Sequence, residues 1–192
     1  VLYDYFHQKL YDYHVIQADE TPVLVNRDGR SAGSKSYMWV YRSGHLYTDK
    51  QIVLYDYHKT RNSSHPRKFL RDYSGICVTD GYQVYHTIEK EREDLRIAGC
   101  WVHARRKFDE ALNVIPKAHQ NKSDAFLVIK QIQAIYREEG KLNTLSSEER
   151  LMQRQLVIKP LVDALFVYLK KMEPTVPASG QLRKAYTYIL NQ

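Results

Sequence analysis

The chain of 192 residues carries 29 Lys and Arg against 22 Asp and Glu, a formal charge of +7, with 43% hydrophobic and 27% charged residues. That balance is globular and excludes a disordered tail, a collagen-like chain and a low-complexity segment. The longest mainly apolar stretch, Leu161 to Leu169, is too short to span a bilayer and contains Asp163, so no membrane association is expected.

The length fits one domain, or one domain with a sizeable insertion. Two cysteines, Cys77 and Cys100, make no disulfide framework, and no secretory leader opens the sequence. A reducing, intracellular setting is therefore expected. A pI near 9.3 favours an anionic partner, nucleic acid among them.

Twelve of the 16 tyrosines and six of the eight glycines precede Cys100, a bias that suits strands and turns. In chain order, Val15 to Asp19 reads as a buried strand stopped by Pro22. Asp28 to Gly33 is a turn-rich loop. Tyr37 to Tyr41 is a second strand turned back at Ser43-Gly44, and Gln51 to Tyr57 a third, giving an antiparallel meander. Asn62-Ser63-Ser64 opens a helix with Pro66 in its first turn, expected to reach about Tyr73. Gly75 to Asp80 is a fourth strand, Tyr82 to Lys90 a short helix or loop, and Arg96 to Trp101 a fifth strand. A helix follows from about His103 to Val114.

The remainder is rich in Leu, Lys, Gln, Glu and Ala, which suits helices. These are placed at about Ser123 to Glu139, Ser147 to Lys171 and Ser179 to Leu190. Ser146 and Glu149 fit a capping box, Pro160 is expected to kink or split the second helix, and Pro174 and Pro177 mark the next break. The order β-β-β-α-β-α-β-α predicts an α/β fold with a mixed five-stranded sheet flanked by helices, the order of the ribonuclease H-like fold. The expected division is a core at 1–115 and a C-terminal all-helical insertion at 116–192.

A parallel crossover would lay the first and fourth strands side by side, pointing the same way. Asp19 and Asp80 would then meet at the carboxyl edge of the sheet, where open α/β sheets bind ligands. Two bare carboxylates about 4 Å apart repel by roughly 4 kcal/mol at an effective dielectric near 20. A shared proton or a hard divalent cation relieves that repulsion, Mg²⁺ being the default for oxygen ligands. Turn formation or helix capping is the competing role for either residue.

Three strings carry a resemblance. They are Ala18-Asp19-Glu20-Thr21-Pro22 followed by Tyr37 to Tyr41, Asp80-Gly81-Tyr82-Gln83-Val84-Tyr85, and Gly99-Cys100-Trp101-Val102-His103-Ala104-Arg105-Arg106-Lys107-Phe108. In this order they resemble the catalytic domain of insertion sequence 66 family transposases, from about residue 10 to the end. The resemblance implies a ribonuclease H-like core with an Asp, Asp, Glu triad, to which Asp19 and Asp80 supply the first two members as catalytic and metal-binding residues. It implies Mg²⁺ or Mn²⁺ in a two-metal site, hydrolysis and strand transfer at transposon ends, double-stranded DNA at those ends and in the target, self-association on DNA, and a bacterial cytoplasm or nucleoid setting. The third acid, a Glu after the insertion, matches nothing here. It is expected beyond Gln192, which would leave these 192 residues inactive alone. Glu148 and Glu149 precede Arg150 but fall inside the insertion. A ribonuclease H-like nuclease or resolvase without strand transfer, and an inactive DNA-binding remnant, are the alternatives.

Cys100 and His103 have the spacing of half a zinc site, but no second pair matches, so zinc is not expected. The resemblance makes Cys100 and Trp101 supports of the catalytic edge. Arg105, Arg106 and Lys107, with His103, are candidate DNA-backbone contacts near a helix start, where backbone N–H groups also favour phosphate. A solvated basic face, or pairing with Glu89, Glu91, Glu93 and Asp94, is the alternative. Lys35, Arg42, Arg61, Arg67 and Lys68 add positive charge at positions whose geometry the sequence leaves open. Trp39, Trp101 and the paired tyrosines read as core residues.

Overall fold

The computed structural model describes residues 1–26, 29–31, 33–44 and 50–192. Asp28 and Ala32 of the expected turn-rich loop lie outside the described residues. The elements fall into two compact units, Val1–Cys100 and Trp101–Gln192.

The first unit contains α1 (Leu2–Leu10), β1 (Val15–Leu24), β2 (Lys35–Ser43), β3 (Val53–His58), α2 (Ser64–Phe69), β4 (Gly75–Thr79), α3 (Gln83–Lys90) and β5 (Leu95–Gly99). The sheet has the order β3-β2-β1-β4-β5. β1, β2 and β3 form the expected antiparallel meander, while β1–β4 and β4–β5 are parallel. This is the mixed five-stranded sheet of the ribonuclease H-like fold.

Strand alternation sends Ile16 and Ala18 of β1, Trp39 and Tyr41 of β2, Leu54 of β3 and Cys77 of β4 into one apolar core. Leu10 of α1, Phe69 of α2, and Tyr85 and Ile88 of α3 close it from the helical side. Tyr41 stacks on Phe69, their planes 6° apart.

Gly75 sets the register of the parallel strands. It has φ +139°, and a Cβ there would sit 2.5 Å from the His14 carbonyl oxygen. The space is taken because Tyr73 Oη donates to the carbonyls of His14 and Ile76, at 2.9 Å each. Gly75 N–H donates to Asp94 O and Ile76 N–H to His14 O, tying β4 to both neighbours.

Several boundaries differ from the expectation for local physical reasons. β1 runs on through Pro22 to Leu24. Its pairing with β4 covers only Val15 to Gln17, so Pro22 lies where the strand has a neighbour on one side, a position that tolerates proline. Asp19 is therefore mid-strand and marks the end of the parallel ladder. The helix after Asn62 stops at Phe69, because Tyr73 turns inward to bond the β1–β4 junction. Trp101 opens a helix and does not extend β5, since Cys100 N–H caps the ladder by donating to Thr79 O at 2.9 Å. Helix α1 lies in a Tyr-rich opening whose residues gave no helical signal.

The second unit is all helical: α4 (Trp101–Asn113), α5 (Lys117–Gln120), α6 (Asp124–Gly140), α7 (Ser147–Gln153), α8 (Lys159–Met172) and α9 (Gln181–Leu190). Ser123 caps α6 by accepting Phe126 N–H at 3.3 Å, and Ser146 and Glu149 form the expected capping box on α7. A π-helical turn, Arg154–Ile158, joins α7 to α8, with Pro160 at the start of α8. Proline has no N–H to continue an α-helical ladder, and the wider turn absorbs the break. The unit's core is built on Phe108 and Ala111 of α4, Val128 and Ile132 of α6, Leu165 and Leu169 of α8, and Ala185 and Tyr186 of α9. Asp124 accepts a hydroxyl on each oxygen, from Tyr168 and from Tyr186, so one acid ties α6 to α8 and α9.

Candidate metal centre

The parallel register Val15↔Ile76, Ile16↔Cys77, Gln17↔Val78 sets Asp19 opposite Asp80 when it is continued past the ladder's end. The sequence expectation for these two acids rests on that geometry. Asp80 follows β4 and is held by a turn: its Oδ1 accepts Tyr82 N–H at 2.9 Å, and Gly81 takes φ +80°. That left-handed conformation favours glycine. Asp19 Oδ1 accepts the Glu20 N–H at 3.0 Å.

A third acid belongs to the group. Oxygens of Asp19, Glu20 and Asp80 all lie within 4.8 Å of one another, the acidic cluster found among the described residues. Glu20 continues the buried Ile16 and Ala18 row of β1, opposite Trp39 in the β2 register. Its side chain is 1% exposed, against 20% for Asp80. One oxygen, Oε1, accepts Arg61 Nε at 2.8 Å and Arg61 Nη2 as well; Oε2 is buried with no hydrogen-bond partner. Burial pushes the Glu20 carboxyl up to about 7, with Asp80 adding to the rise and Arg61 opposing it.

Arg61 sits across this edge. Nη2 is 3.7 Å from Asp80 Oδ2, and its guanidinium carbon lies 3.8 Å from the centroid of the Tyr82 ring. Tyr82 Oη donates to the Arg61 carbonyl at 3.2 Å. One turn after β4 thus fixes Asp80 through the Tyr82 backbone and Arg61 through the Tyr82 side chain.

The donor set fits a hard divalent cation. It is all oxygen, it is over-supplied with negative charge relative to one guanidinium, and one of its members, Glu20, has a buried oxygen with no hydrogen-bond partner. Cys100 and His103 are not in this cluster. Cys77 is a buried thiol whose pKa burial drives up, in keeping with an apolar core role.

The remaining predicted residues are distributed differently. Cys100 follows β5 and is anchored to Thr79, next to Asp80 in the chain. Trp101, His103, Arg105, Arg106 and Lys107 all lie on α4. Because α4 starts at Trp101, the three cations are beyond the first four residues, whose N–H groups are the free ones. The expected proximity to a helix start is corrected to that extent. Arg105 Nη2 lies 3.8 Å from Asp109, Lys107 Nζ is 5.1 Å from the centroid of the Tyr188 ring, and Arg106 is exposed. The acids upstream have other partners: Glu91 binds Arg67, Glu89 accepts Ile97 N–H, and Asp94 accepts Arg92. Glu149 is committed to the α7 cap.

Sequence reasoning missed Glu20 as a site residue and carried it only as part of a string. The signal that could have found it is its period-two relation to Ile16 and Ala18, which puts a carboxylate in an apolar row.

A mixed β3-β2-β1-β4-β5 sheet with carboxylates gathered at the β1–β4 edge defines the class: a ribonuclease H-like domain with an acidic edge. The chain belongs to the IS66 transposase family, whose model, described as "Transposase IS66 family", matches residues 1–192. It is 26% identical over 201 residues to the uncharacterized protein y4qI of Sinorhizobium fredii (strain NBRC 101917 / NGR234), a match covering 100% of this chain and 36% of that protein. It is 29% identical over 155 residues to the uncharacterized protein y4hP of the same strain, covering 76% of this chain and 28% of that protein. The chain thus spans about a third of the length of these curated relatives. No solved structure matches it. No described helix is long and apolar enough to cross a membrane.

Proposed function

We propose that Val1–Cys100 is the metal-binding part of a transposase catalytic core that cuts and joins DNA at transposon ends. The observation that carries this reading is the meeting of Asp19 and Asp80 at the end of the β1–β4 parallel ladder, with Glu20 beside them. Asp19 and Asp80 would hold Mg²⁺ or Mn²⁺, and the third acid of the family's triad is assigned to sequence beyond Gln192. When bound, the cation supplies electrostatic stabilisation of the transferring phosphoryl group and favours ionisation of the attacking hydroxyl. The chain's own contribution is positional. The Gly81 turn and the β1 backbone hold two carboxylates in place before the reaction begins.

In hydrolysis, a water oxygen bonds to phosphorus, the bond to the 3′-oxygen breaks, and that oxygen leaves as the 3′-hydroxyl after taking a proton. In strand transfer, the 3′-hydroxyl replaces water: its oxygen bonds to a phosphorus of the target strand and gives up its proton, that phosphorus's bond to the target 3′-oxygen breaks, and the target 3′-oxygen leaves as a hydroxyl after taking a proton. Residues 116–192 are proposed as the helical insertion of this core. Arg106, with Arg105, Lys107 and His103, is proposed to contact the DNA backbone in a complex of more than one copy.

The test is strand cleavage by the whole transposase carrying Asp19→Asn or Asp80→Asn. Each variant should lose activity while keeping its circular dichroism spectrum. Retained cleavage by either one contradicts the role given to that residue. Joined products on DNA with a free 3′-hydroxyl separate transposition from simple hydrolysis.

A further inference from the structure

Arg61 is a cation already seated at the acidic edge. It is held on one side by Glu20, through Nε and Nη2, and on the other by the Tyr82 ring at 3.8 Å, leaving Nη2 3.7 Å from Asp80. The rest of the guanidinium faces outward, its side chain 38% exposed. The position is enforced from the backbone as well, by the Tyr82 hydroxyl on the Arg61 carbonyl. Just beyond the loop that carries it, His58 and His65 stack with centroids 3.6 Å apart and planes 13° apart, closing both ends of residues 59–64 against each other.

A divalent ion on Asp80 and this guanidinium would be like charges side by side. The group that lets both remain is an anion between them, and guanidinium offers the planar fork that phosphate oxygens take. A DNA phosphate bridging ion and arginine turns repulsion into two attractions.

We propose that Arg61 is the phosphate-positioning residue of the acidic edge, competing with a divalent ion for Asp80 until a DNA phosphate is bound between them. This rests on the metal reading of Asp19 and Asp80. Glu20 and Tyr82 are then the residues that aim Arg61, and binding of metal and of DNA is coupled through it.

The experiment is a calorimetric Mn²⁺ titration of the 192-residue chain as wild type, Arg61→Gln and Arg61→Lys, each without and with a short DNA duplex. Arg61→Gln keeps a hydrogen bond toward Glu20 and removes the charge; Arg61→Lys keeps the charge and loses the fork. Without DNA, Arg61→Gln should bind Mn²⁺ about three- to tenfold more tightly than wild type, the range set by one partly exposed ion-pair partner. Arg61→Lys should stay within about twofold of wild type on the same scale. With DNA, wild type should gain Mn²⁺ affinity and Arg61→Gln should lose that gain. A residue with a merely structural role would weaken Mn²⁺ binding when replaced, never tighten it. Unchanged or weaker Mn²⁺ binding by folded Arg61→Gln overturns the proposal and leaves the metal reading standing. Mn²⁺ binding by no protein in the series overturns both.

Discussion

Asp124 of the helical unit is half-buried and Glu20 of the sheet unit has a side chain 1% exposed, and their oxygens are treated in opposite ways. In the helical unit, Asp124 receives one hydroxyl on each oxygen and joins three helices. In the sheet unit, Glu20 gives one oxygen to Arg61 and leaves the other buried without a partner, within 4.8 Å of two further carboxylates. An acid whose two oxygens are both satisfied is an architectural joint. An unsatisfied one at a sheet edge is costly for folding and is kept where a cation or an anion will use it. The difference agrees with the proposal that the first unit binds the metal.

Function should separate the units most strongly. Asp19→Asn and Asp80→Asn should each lower strand cleavage by the whole transposase by at least about 10³-fold, the loss of several kcal/mol of transition-state stabilisation. Asp124→Asn should leave cleavage within about threefold, a difference under 1 kcal/mol. Equal losses at both sites would erase the distinction.

Stability should order them the other way. Asp124→Ala removes two charge-assisted acceptors and should cost about 2–4 kcal/mol, read as a lower urea midpoint, with Mn²⁺ affinity unchanged. Glu20 should act through pH. Its carboxyl is raised to about 7 from 4.5, so the folded state binds a proton that the unfolded state has released between those values. Stability contributed by neutral Glu20 is therefore full below about pH 4.5, falls as pH rises and is lost above about pH 7. Glu20→Gln should flatten that limb and gain up to about 3 kcal/mol at pH 8 relative to wild type. Parallel stability curves for the two proteins between pH 5 and 8 would refute the burial argument.

The smallest effect belongs to α4. Arg106→Ala should weaken DNA binding uniformly across sequences and reduce the salt slope of log K by about one charge. An unchanged slope would remove Arg106 from the DNA surface.

Much of the sheet unit was readable because its signals are local. The alternation of Val15 to Ala18, the Gly81 turn after Asp80 and the short links of the meander fix strands and order. They also place Asp19 and Asp80 at one edge. The Ser146–Glu149 cap was readable for the same reason. What the sequence hid depends on distance in the chain. Arg61 meets Glu20 across 41 residues and appeared only as one of several scattered cations. Tyr73, where the sequence predicts a helix end, turns inward to His14, 59 residues away. Pro22 signals a strand stop in the sequence, and its one-sided pairing is a property of the assembled sheet. Arg105 stands in a basic run, and α-helical spacing also brings it within 3.8 Å of Asp109, four residues on.

The most direct measurement is Mn²⁺ binding by the wild-type chain and by Asp19→Asn/Asp80→Asn, followed by calorimetry at neutral pH. Saturable binding by wild type that the double variant loses, with both proteins folded, is the result this account predicts. Equal binding by the two proteins would mean that the acidic edge holds no ion and that Asp19 and Asp80 are structural.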